Sequence, residues 1–437
     1  MNVCDSLWIA AALRQKGYTQ VMSEKEADVI LINTCSVRQK PEQKVYSMLG
    51  RIEPYLKNNP NLIVGVGGCV AQQVKETFWE KFPFVRLIFG TDGVRSVPDS
   101  IVRLSENPDL KISLLDFLDY YPEREIIIDR TLTKQQAGAY VNIMQGCDNF
   151  CAYCIVPFTR GRQKSRKTEN ILNECKKFAE AGIKEITLLG QNVNSFGKDK
   201  YGDGVSFPQL IRKVSKIEGI RRIRFTTSHP KDISDELIAL FGELENLCPA
   251  IHLPLQSGSN TILAKMGRKY TIEDYLQIVE KLRKVRDDIV ITTDLIVGFP
   301  TETEEDFLET LKRVKEIEFD SSFSFKYSDR PGTKATKMEP KIPDEIKSER
   351  LKRLQNLQDK LTHKSLNKLK GKVVEVLVEG KSAKQGKDNQ ISLKGREGGG
   401  RVVNFLTKQT NNIHVGSLVK VKITEIKKHS LFGEVIL

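Results

Sequence analysis

The stretch Gly146-Cys147-Asp148-Asn149-Phe150-Cys151-Ala152-Tyr153-Cys154 places three thiols within eight residues, in the spacing C-x3-C-x2-C. Buried structural cysteines scatter along a chain, so this clustering indicates ligation of a metal. A structural zinc ion is the alternative, but it normally binds four protein ligands, usually as two separated pairs. Three thiolates suit an iron–sulfur cluster that leaves one iron open for a small molecule. The spacing therefore predicts an iron–sulfur site at Cys147, Cys151 and Cys154.

The length and the cysteine content of the chain limit its class. A chain of 437 residues is too long to fold around one small hydrophobic core, so we expect two or three domains. The N-terminus shows no signal-peptide pattern, and no apolar run reaches the ~18 residues that span a bilayer. We therefore expect a cytoplasmic protein without a membrane partner. Because the cytoplasm is reducing, the eight cysteines are interpreted as ligands or reactive thiols in preference to disulfides.

The charge of the chain predicts a polyanionic partner. The net charge is +13 and the pI is near 9.2, which favours RNA or DNA over a membrane because no amphipathic anchor is evident. Residues 366–437 contain 14 Lys and Arg against 6 Asp and Glu, a surplus of eight positive charges. Solvated lysines remain the alternative for any single basic run.

The first 105 residues alternate amphipathic helical patterns with short β-branched runs, the rhythm of a parallel α/β sheet. Cys35 and Cys69 follow two predicted strands, at the edge where open α/β sheets bind ligands, although each alone also fits a buried core thiol. The chain opens on a helix with no strand before it, whereas a doubly wound half-domain normally begins with a strand, so its first strand is expected to be missing from this sequence. The predicted helices are 5–16, 41–57 and 71–81, and the predicted strands are 27–33, 62–67 and 85–89.

A second alternating series follows, with a period of about 35 to 40 residues, and its six βα units predict an incomplete barrel. In such barrels the chemistry lies on the loops after the strands. Polar residues or glycines follow every strand, and a glycine there lets a ligand approach the backbone, although a single one is also an ordinary turn residue. The predicted strands are 140–144, 185–189, 222–226, 250–253, 290–296 and 320–325. The candidates for cofactor contact are Gly190, Gln191, Asn192, Ser228, Gln256 and Gly298.

The last hundred residues predict a long helix and then a small β-barrel. Residues 343–370 carry apolar side chains at helical spacing, which is typical of a connector packed on the central barrel. Five short β-rich runs separated by glycines and polar turns predict a five-stranded barrel related to the OB fold. Its basic surplus favours RNA binding, and a plain accessory barrel is the alternative. The runs are 373–378, 390–393, 402–405, 418–423 and 431–436.

Several motifs at these strand ends carry a resemblance to a known family. They are Asn33-Thr34-Cys35-Ser36-Val37-Arg38, Gly65-Val66-Gly67-Gly68-Cys69-Val70-Ala71, the cysteine stretch through Arg160-Gly161, Leu188-Leu189-Gly190-Gln191-Asn192-Val193-Asn194, Thr226-Thr227-Ser228-His229-Pro230, His252-Leu253-Pro254-Leu255-Gln256-Ser257-Gly258-Ser259 and Ile296-Val297-Gly298-Phe299-Pro300-Thr301-Glu302-Thr303. Together they resemble the radical S-adenosylmethionine (SAM) methylthiotransferases, nearly end to end. Residues Gly395-Arg396 and Arg401-Val402-Val403-Asn404-Phe405 resemble the TRAM domain of that family.

The resemblance implies three domains and one reaction. The domains are an N-terminal α/β domain at 1–128, a radical SAM partial barrel at 133–365 and a TRAM barrel at 366–437. The implied reaction replaces a ring C–H of N(6)-dimethylallyladenosine, next to the anticodon of tRNA, with S–CH3. An sp2 C–H has no useful acidity, so this step needs a radical from a redox cofactor, and one SAM serves as radical source while another donates the methyl group.

The resemblance also implies the ligands and the partners. Cys147, Cys151 and Cys154 hold a 4Fe-4S cluster that binds SAM, and Cys35 and Cys69 serve a second 4Fe-4S cluster that delivers sulfur. The family's third ligand of that second cluster precedes a Gln-Met-Asn motif, and this chain begins at the Met-Asn. We therefore expect either that the recorded start is too late or that the second cluster lacks one ligand here. The expected partners are tRNA, a reductive electron donor and a sulfur donor, and we expect a monomer. A relative acting on a ribosomal protein and a tRNA-binding iron–sulfur protein without turnover remain alternatives.

Overall fold

The computed structural model describes residues 1–35, 39–128, 136–382, 390–408 and 412–436. Most of the irregular stretch predicted at 131–136, and the end of the motif that follows Cys35, lie outside these residues. No helix in the described segments is both long enough and apolar enough to cross a membrane.

The N-terminal part is a four-stranded parallel sheet in the order β1-β2-β3-β4, which confirms the predicted α/β class. Strand β2 is buried throughout, and helices cover both faces of the sheet. The strands are β1 (Val29–Asn33), β2 (Ile63–Gly67), β3 (Val85–Phe89) and β4 (Ile112–Leu114). The helices are α1 (Asn2–Gln15), α2 (Gln39–Ile52), α3 (Cys69–Val74), α4 (Thr77–Lys81) and α5 (Val97–Glu106).

The structure differs from the predictions for this part in detail: the helix predicted at 41–57 ends at Ile52 and is followed by a 3-10 helix, Glu53–Lys57. The single helix predicted at 71–81 is two helices, because Lys75 has a φ of 57° and ends α3. Sequence patterns also missed β4, whose three residues are too few to show an alternation.

The central part contains six parallel strands with helices outside them, which confirms the predicted incomplete barrel. The strands form two three-stranded sheets, β5-β8-β9 and β10-β11-β12, and short β6 and β7 pair beside them. The Cys248 N–H donates to the Ile223 carbonyl at 2.9 Å and joins the two sheets. The strands are β5 (Gly138–Asn142), β6 (Met144–Gln145), β7 (Lys164–Ser165), β8 (Glu185–Leu189), β9 (Arg222–Thr226), β10 (Ala250–His252), β11 (Val290–Val297) and β12 (Ser321–Lys326).

The helices of the barrel bury their apolar faces against the outer side of the strands, around one large core. Along β11 the residues alternate, so that Ile291, Thr293 and Leu295 are buried against helices, whereas the residues between them face the open interior. The helices are α6 (Val156–Arg160), α7 (Thr168–Glu180), α8 (Phe207–Ser215), α9 (Asp235–Glu243), α10 (Asn260–Lys265), α11 (Ile272–Val285) and α12 (Glu304–Ile317).

The last part is a long helix followed by a closed five-stranded barrel in the order β13-β14-β15-β17-β16, as predicted. Alternate residues of its strands point into a separate small core, which leaves the other residues, many of them lysines, in solvent. The elements are α13 (Asp344–Asn367), β13 (Val373–Lys381), β14 (Gln390–Glu397), β15 (Val402–Lys408), β16 (Leu418–Ile426) and β17 (Leu431–Val435).

The small barrel docks at the amino ends of the central strands. Arg222, at the start of β9, donates to the Arg396 carbonyl at 3.0 Å and to the Glu375 carbonyl at 2.8 Å. Arg401 pairs with Asp320, just before β12, at 2.7 Å. The carboxyl ends of the strands, where the cysteine stretch lies, therefore face away from the small barrel.

Candidate active site

The cysteine stretch begins where β6 ends and is held by backbone contacts. Gly146 has a φ of 79°, and a Cβ there would lie 2.0 Å from the Arg162 carbonyl oxygen, so only glycine fits. The Gly146 N–H donates to the Gln191 side chain at 2.7 Å, and the Cys147 N–H donates to the Gly161 carbonyl at 3.3 Å. The loop is therefore fixed at both β8 and the end of α6.

The three thiols of this loop are largely withdrawn from water. Cys151 is buried, and burial raises the pKa of Cys147 and raises the pKa of Cys154 to about 12, with the Cys151 charge as a further cause. Among the described residues, no three His, Cys, Asp or Glu side chains converge on the position of one metal ion. A four-iron cluster does not need that convergence, because each thiolate binds a different iron.

A buried arginine next to these thiols favours an anionic occupant. The guanidinium of Arg268 donates to Cys151 Sγ at 3.4 Å, to the Pro254 carbonyl at 3.0 Å and to the Tyr270 hydroxyl at 3.1 Å. Arg268 is only 7% exposed, and within the described residues no carboxylate pairs with it. A buried charge without a counter-charge is costly, so thiolates that hold a cluster suit this environment.

The second pair of predicted ligands meets at the edge of the N-terminal sheet. Because β1 and β2 are adjacent, Cys35 and Cys69 lie close enough for a hydrogen bond between their side chains. This bond and the positive charge of Arg160 hold the pKa of Cys69 down to about 5, against the opposing effect of burial. The Cys69 sulfur is therefore available as a thiolate at neutral pH, as a metal ligand requires.

Helix α6 connects the two groups of cysteines. It starts two residues after Cys154, and the side chains at its end, Thr159 and Arg160, hydrogen-bond Cys69. Five helical residues span about 8 Å. The two sulfur sites are therefore neighbours across one short helix, although sequence places them in different parts of the chain.

The predicted cofactor contacts Asn192 and Ser228 lie at the carboxyl ends of β8 and β9. Both are almost fully buried, yet Asn192 Oδ1 and Ser228 Oγ have no hydrogen-bond partner among the described residues. The same is true of Asn194 Oδ1 and Thr227 Oγ1 beside them. Buried polar atoms without partners are rare, so this group of four fits a polar ligand such as the amino-acid or ribose part of SAM.

The other predicted contacts have structural partners. Gly190 packs tightly, since a Cβ there would lie 2.5 Å from the Met144 side chain. Gln191 supports Gly146 and also contacts the Met1 sulfur. Gln256 has a φ of 70° and joins β11 through a 2.8 Å bond from its N–H to the Asp294 carbonyl. These residues shape the rim, and their predicted contact with a cofactor stays a prediction.

Gly298 is part of a buried ionic connection to α13. Its N–H donates to a Glu302 carboxylate oxygen at 2.7 Å, and Arg350 donates to the same carboxylate at 2.8 Å. Burial raises the pKa of Glu302 to about 7. A Cβ at Gly298, whose φ is 69°, would lie 2.3 Å from the Lys347 side chain. The role of Gly298 visible here is therefore packing against α13.

Sequence reasoning missed the two arginines of the site, Arg160 and Arg268. In sequence they stand among other basic residues, where a solvated surface is the usual interpretation. Only the position of Arg160 directly before Gly161, inside a motif already singled out, gave a signal. Asn194 and Thr227 also stood inside quoted motifs but were not chosen as candidates.

Family models match all three parts of the chain. Residues 141–314 match the radical SAM superfamily, residues 1–90 match the uncharacterized protein family UPF0004, and residues 367–436 match the TRAM domain. The barrel, its cysteine loop and the first of these matches define the class: the protein has a radical SAM domain.

Comparison with curated proteins narrows the class to one family. The tRNA-2-methylthio-N(6)-dimethylallyladenosine synthase of Nitratidesulfovibrio vulgaris strain DP4 is 53% identical over 99% of this chain and 96% of its own. The synthases of Lawsonia intracellularis and of Thermoanaerobacter sp. strain X514 are 51% and 45% identical, over 99% and 100% of this chain and 96% and 90% of their own. The chain belongs to the tRNA-2-methylthio-N(6)-dimethylallyladenosine synthase family, which confirms the predicted resemblance.

Solved structures share the fold at low sequence identity. The radical SAM methyltransferase TsrM of Kitasatospora setae, solved with cobalamin and a [4Fe-4S] cluster, has a TM-score of 0.57 and 13% identity, over 76% of this chain and 70% of its own. The cobalamin-dependent SAM radical enzyme OxsB, in its apo form, has a TM-score of 0.55 and 15% identity, over 82% of this chain and 53% of its own. These likenesses establish the architecture alone.

Proposed function

We propose that the protein converts N(6)-dimethylallyladenosine next to the anticodon of tRNA to its 2-methylthio derivative, with one SAM as radical source and one as methyl donor. The observation that carries this proposal is the position of α6. It has Cys154 of the cysteine loop near its start and the partners of Cys69 at its end. A radical-generating site and a sulfur-delivering site at the two ends of one helix about 8 Å long can act on one base.

The cysteine loop holds the first of these sites. Cys147, Cys151 and Cys154 would hold a 4Fe-4S cluster, which would supply the electron for reductive cleavage of SAM. The chain contributes a dry pocket around the thiolates, the Arg268 charge next to Cys151, and unpartnered polar atoms that orient SAM.

Cys35 and Cys69 form the sulfur-delivering site in this proposal. The hydrogen bond with Cys35 and the charge of Arg160 lower the pKa of Cys69. The Arg160 guanidinium also donates to the Asn2 side chain at 2.6 Å, which holds it at the end of α6 beside Cys69. A second 4Fe-4S cluster at this position is part of the proposal. A reductive electron donor and a sulfur donor are the partners that it requires.

The small barrel supplies the charge for tRNA binding. Its exposed lysines alternate with core residues, so they form rows on the outside of the strands, for example Lys420 and Lys422 on either side of buried Val421. Rows of lysine on one face attract phosphates and release counterions. We propose a cytoplasmic monomer in which 1–128, 133–365 and 366–437 are the sulfur-delivering, radical-generating and RNA-binding domains.

Nucleoside mass spectrometry of tRNA from a deletion strain tests the proposal. The strain should accumulate dimethylallyladenosine and lack its 2-methylthio derivative. The wild-type gene and a Cys175→Ala variant should restore the derivative, since Cys175 lies in the barrel core away from both sites. A Cys151→Ala variant should not. Unchanged tRNA nucleosides together with loss of a modification from a ribosomal protein would contradict the proposal.

A further inference from the structure

Three phenylalanines next to the cysteine loop are exposed to solvent. Phe117 is 46% exposed, Phe150 40% and Phe158 47%. They come from the linker after β4, from the cysteine loop and from α6. A group of exposed aromatic side chains indicates an interaction surface, whereas single exposed aromatic side chains are ordinary.

Contacts place the three rings near the cysteine loop and the end of α6. A Cβ built at Gly161 would lie 3.2 Å from the Phe117 ring, and Gly161 accepts the hydrogen bond of Cys147. The Phe150 ring lies 5.1 Å from the guanidinium of Arg162, the residue that follows Gly161. Phe158 stands on α6, between the two groups of cysteines. We call these three residues the aromatic collar.

Positive charges stand beside the collar. The Arg162 side chain is 72% exposed, although Asp148 pairs with it at 2.7 Å. On the other side, Lys334 and Lys337 are exposed on a short turn that is tied to the cysteine loop by a 2.8 Å bond from the Ala335 N–H to the Ala152 carbonyl. Aromatic rings interleaved with cations are the pattern that binds unstacked nucleotides.

We propose that the aromatic collar stacks on the RNA bases that flank the reacting adenosine. This inference rests on the proposed function and specifies how its substrate is held. An enzyme that reacts with the ring of a base must take that base out of its stack, which leaves the neighbouring bases without a partner on one face. Phe117, Phe150 and Phe158 provide replacement faces at the edge of the site, while Arg162 and the two lysines contact phosphates.

The collar has a distinct thermodynamic signature. Loss of one stacked aromatic ring weakens binding of single-stranded nucleic acid about tenfold to hundredfold. The slope of affinity against salt concentration depends on neutralised phosphates, so an aromatic variant leaves it unchanged. An Arg162→Ala variant should instead reduce the slope.

The test uses the full-length reconstituted protein and anticodon stem-loop RNA, with and without the dimethylallyl group. Phe158→Ala and Phe117→Ala should each raise Kd and KM about tenfold or more, for both RNAs, with the salt slope and RNA-free SAM cleavage unchanged. Phe158→Tyr should bind like the wild type because it keeps the ring. The control is Leu308→Ala, which removes a side chain that is also 47% exposed, on α12.

Two results would contradict the proposal that the aromatic collar stacks on the flanking bases. One is a wild-type Kd for both alanine variants. The other is a loss of affinity only for RNA that carries the dimethylallyl group, which would assign the rings to that group instead of to the flanking bases. These binding results are separate from the proposed function, whose failure would appear as wild-type protein that binds the RNA without methylthiolating it.

Discussion

Arg268 should set the reduction potential of the 4Fe-4S cluster that we assign to the cysteine loop. Its guanidinium lies 3.4 Å from Cys151 Sγ and is buried without a carboxylate partner in the described part of the chain. A fixed positive charge stabilises the reduced cluster, which carries one more electron. An Arg268→Gln variant should therefore have a lower reduction potential and hold less of its cluster in the reduced state at a given donor potential.

The magnitude follows from Coulomb's law. At an effective dielectric constant of about 20, unit charges 3.4 Å apart interact by about 5 kcal/mol, but the added electron spreads over the whole cluster. With about 8 Å as the mean separation, the interaction is about 2 kcal/mol. For a one-electron couple this corresponds to a reduction potential lower by about 90 mV.

The assay is a redox titration monitored by electron paramagnetic resonance, without SAM, on protein matched for iron content. Arg268→Lys is the matched control, because it keeps the charge and should retain most of the potential. An unchanged potential in Arg268→Gln would refute the reasoning. Equal decreases in both variants would also refute it, since that result would assign the effect to packing instead of charge.

Three further predictions concern stability and RNA binding. Arg350→Met should lower the free energy of unfolding in urea by about 3 to 5 kcal/mol, because it leaves Glu302 buried without a partner, whereas the more exposed Arg353→Met should cost far less. The pKa of Glu302 is about 7 in the folded protein and about 4.3 in the unfolded chain, so folding favours the protonated carboxyl. The stability that this preference gives is complete below about pH 4.3 and is lost as the pH rises through about 7. Wild-type protein should therefore lose stability relative to Glu302→Gln between pH 5 and pH 8 in urea titrations, and parallel curves would contradict this. Lys420→Ala with Lys422→Ala should reduce the slope of log K against log salt by up to about 2 in tRNA binding, and an unchanged slope would place the phosphates elsewhere.

Periodicity predicted the fold well where a strand is long enough and apolar enough to show a pattern. The strands Val85–Phe89, Glu185–Leu189 and Arg222–Thr226 have the predicted bounds. Strand Ile112–Leu114 has three residues and no pattern, and the break at Lys75 depends on a local φ that an L-residue rarely adopts. Short elements and single unusual dihedrals are thus where the sequence stops being informative.

For the site, the spacing of Cys147, Cys151 and Cys154 was sufficient to predict a set of ligands, because the spacing of ligands is a local property of the sequence, and their binding of a cluster stays a prediction. The same reasoning could not find Arg268, whose contact with Cys151 joins positions more than a hundred residues apart. Nor could it show that α6 brings Cys69 beside the cysteine loop. Contacts of this kind depend on how the parts of the chain pack, and local sequence does not record that.

The most direct test of the account is whether the two cysteine groups have separate tasks. Anaerobically reconstituted protein is incubated with SAM, dithionite and tRNA that carries dimethylallyladenosine, and 5′-deoxyadenosine and the modified nucleoside are measured together. We predict both products for the wild type, neither for Cys151→Ala, and 5′-deoxyadenosine without the 2-methylthio nucleoside for Cys69→Ala. Full methylthiolation by Cys69→Ala, or SAM cleavage by Cys151→Ala at the wild-type rate, would contradict the assignment of the two sites.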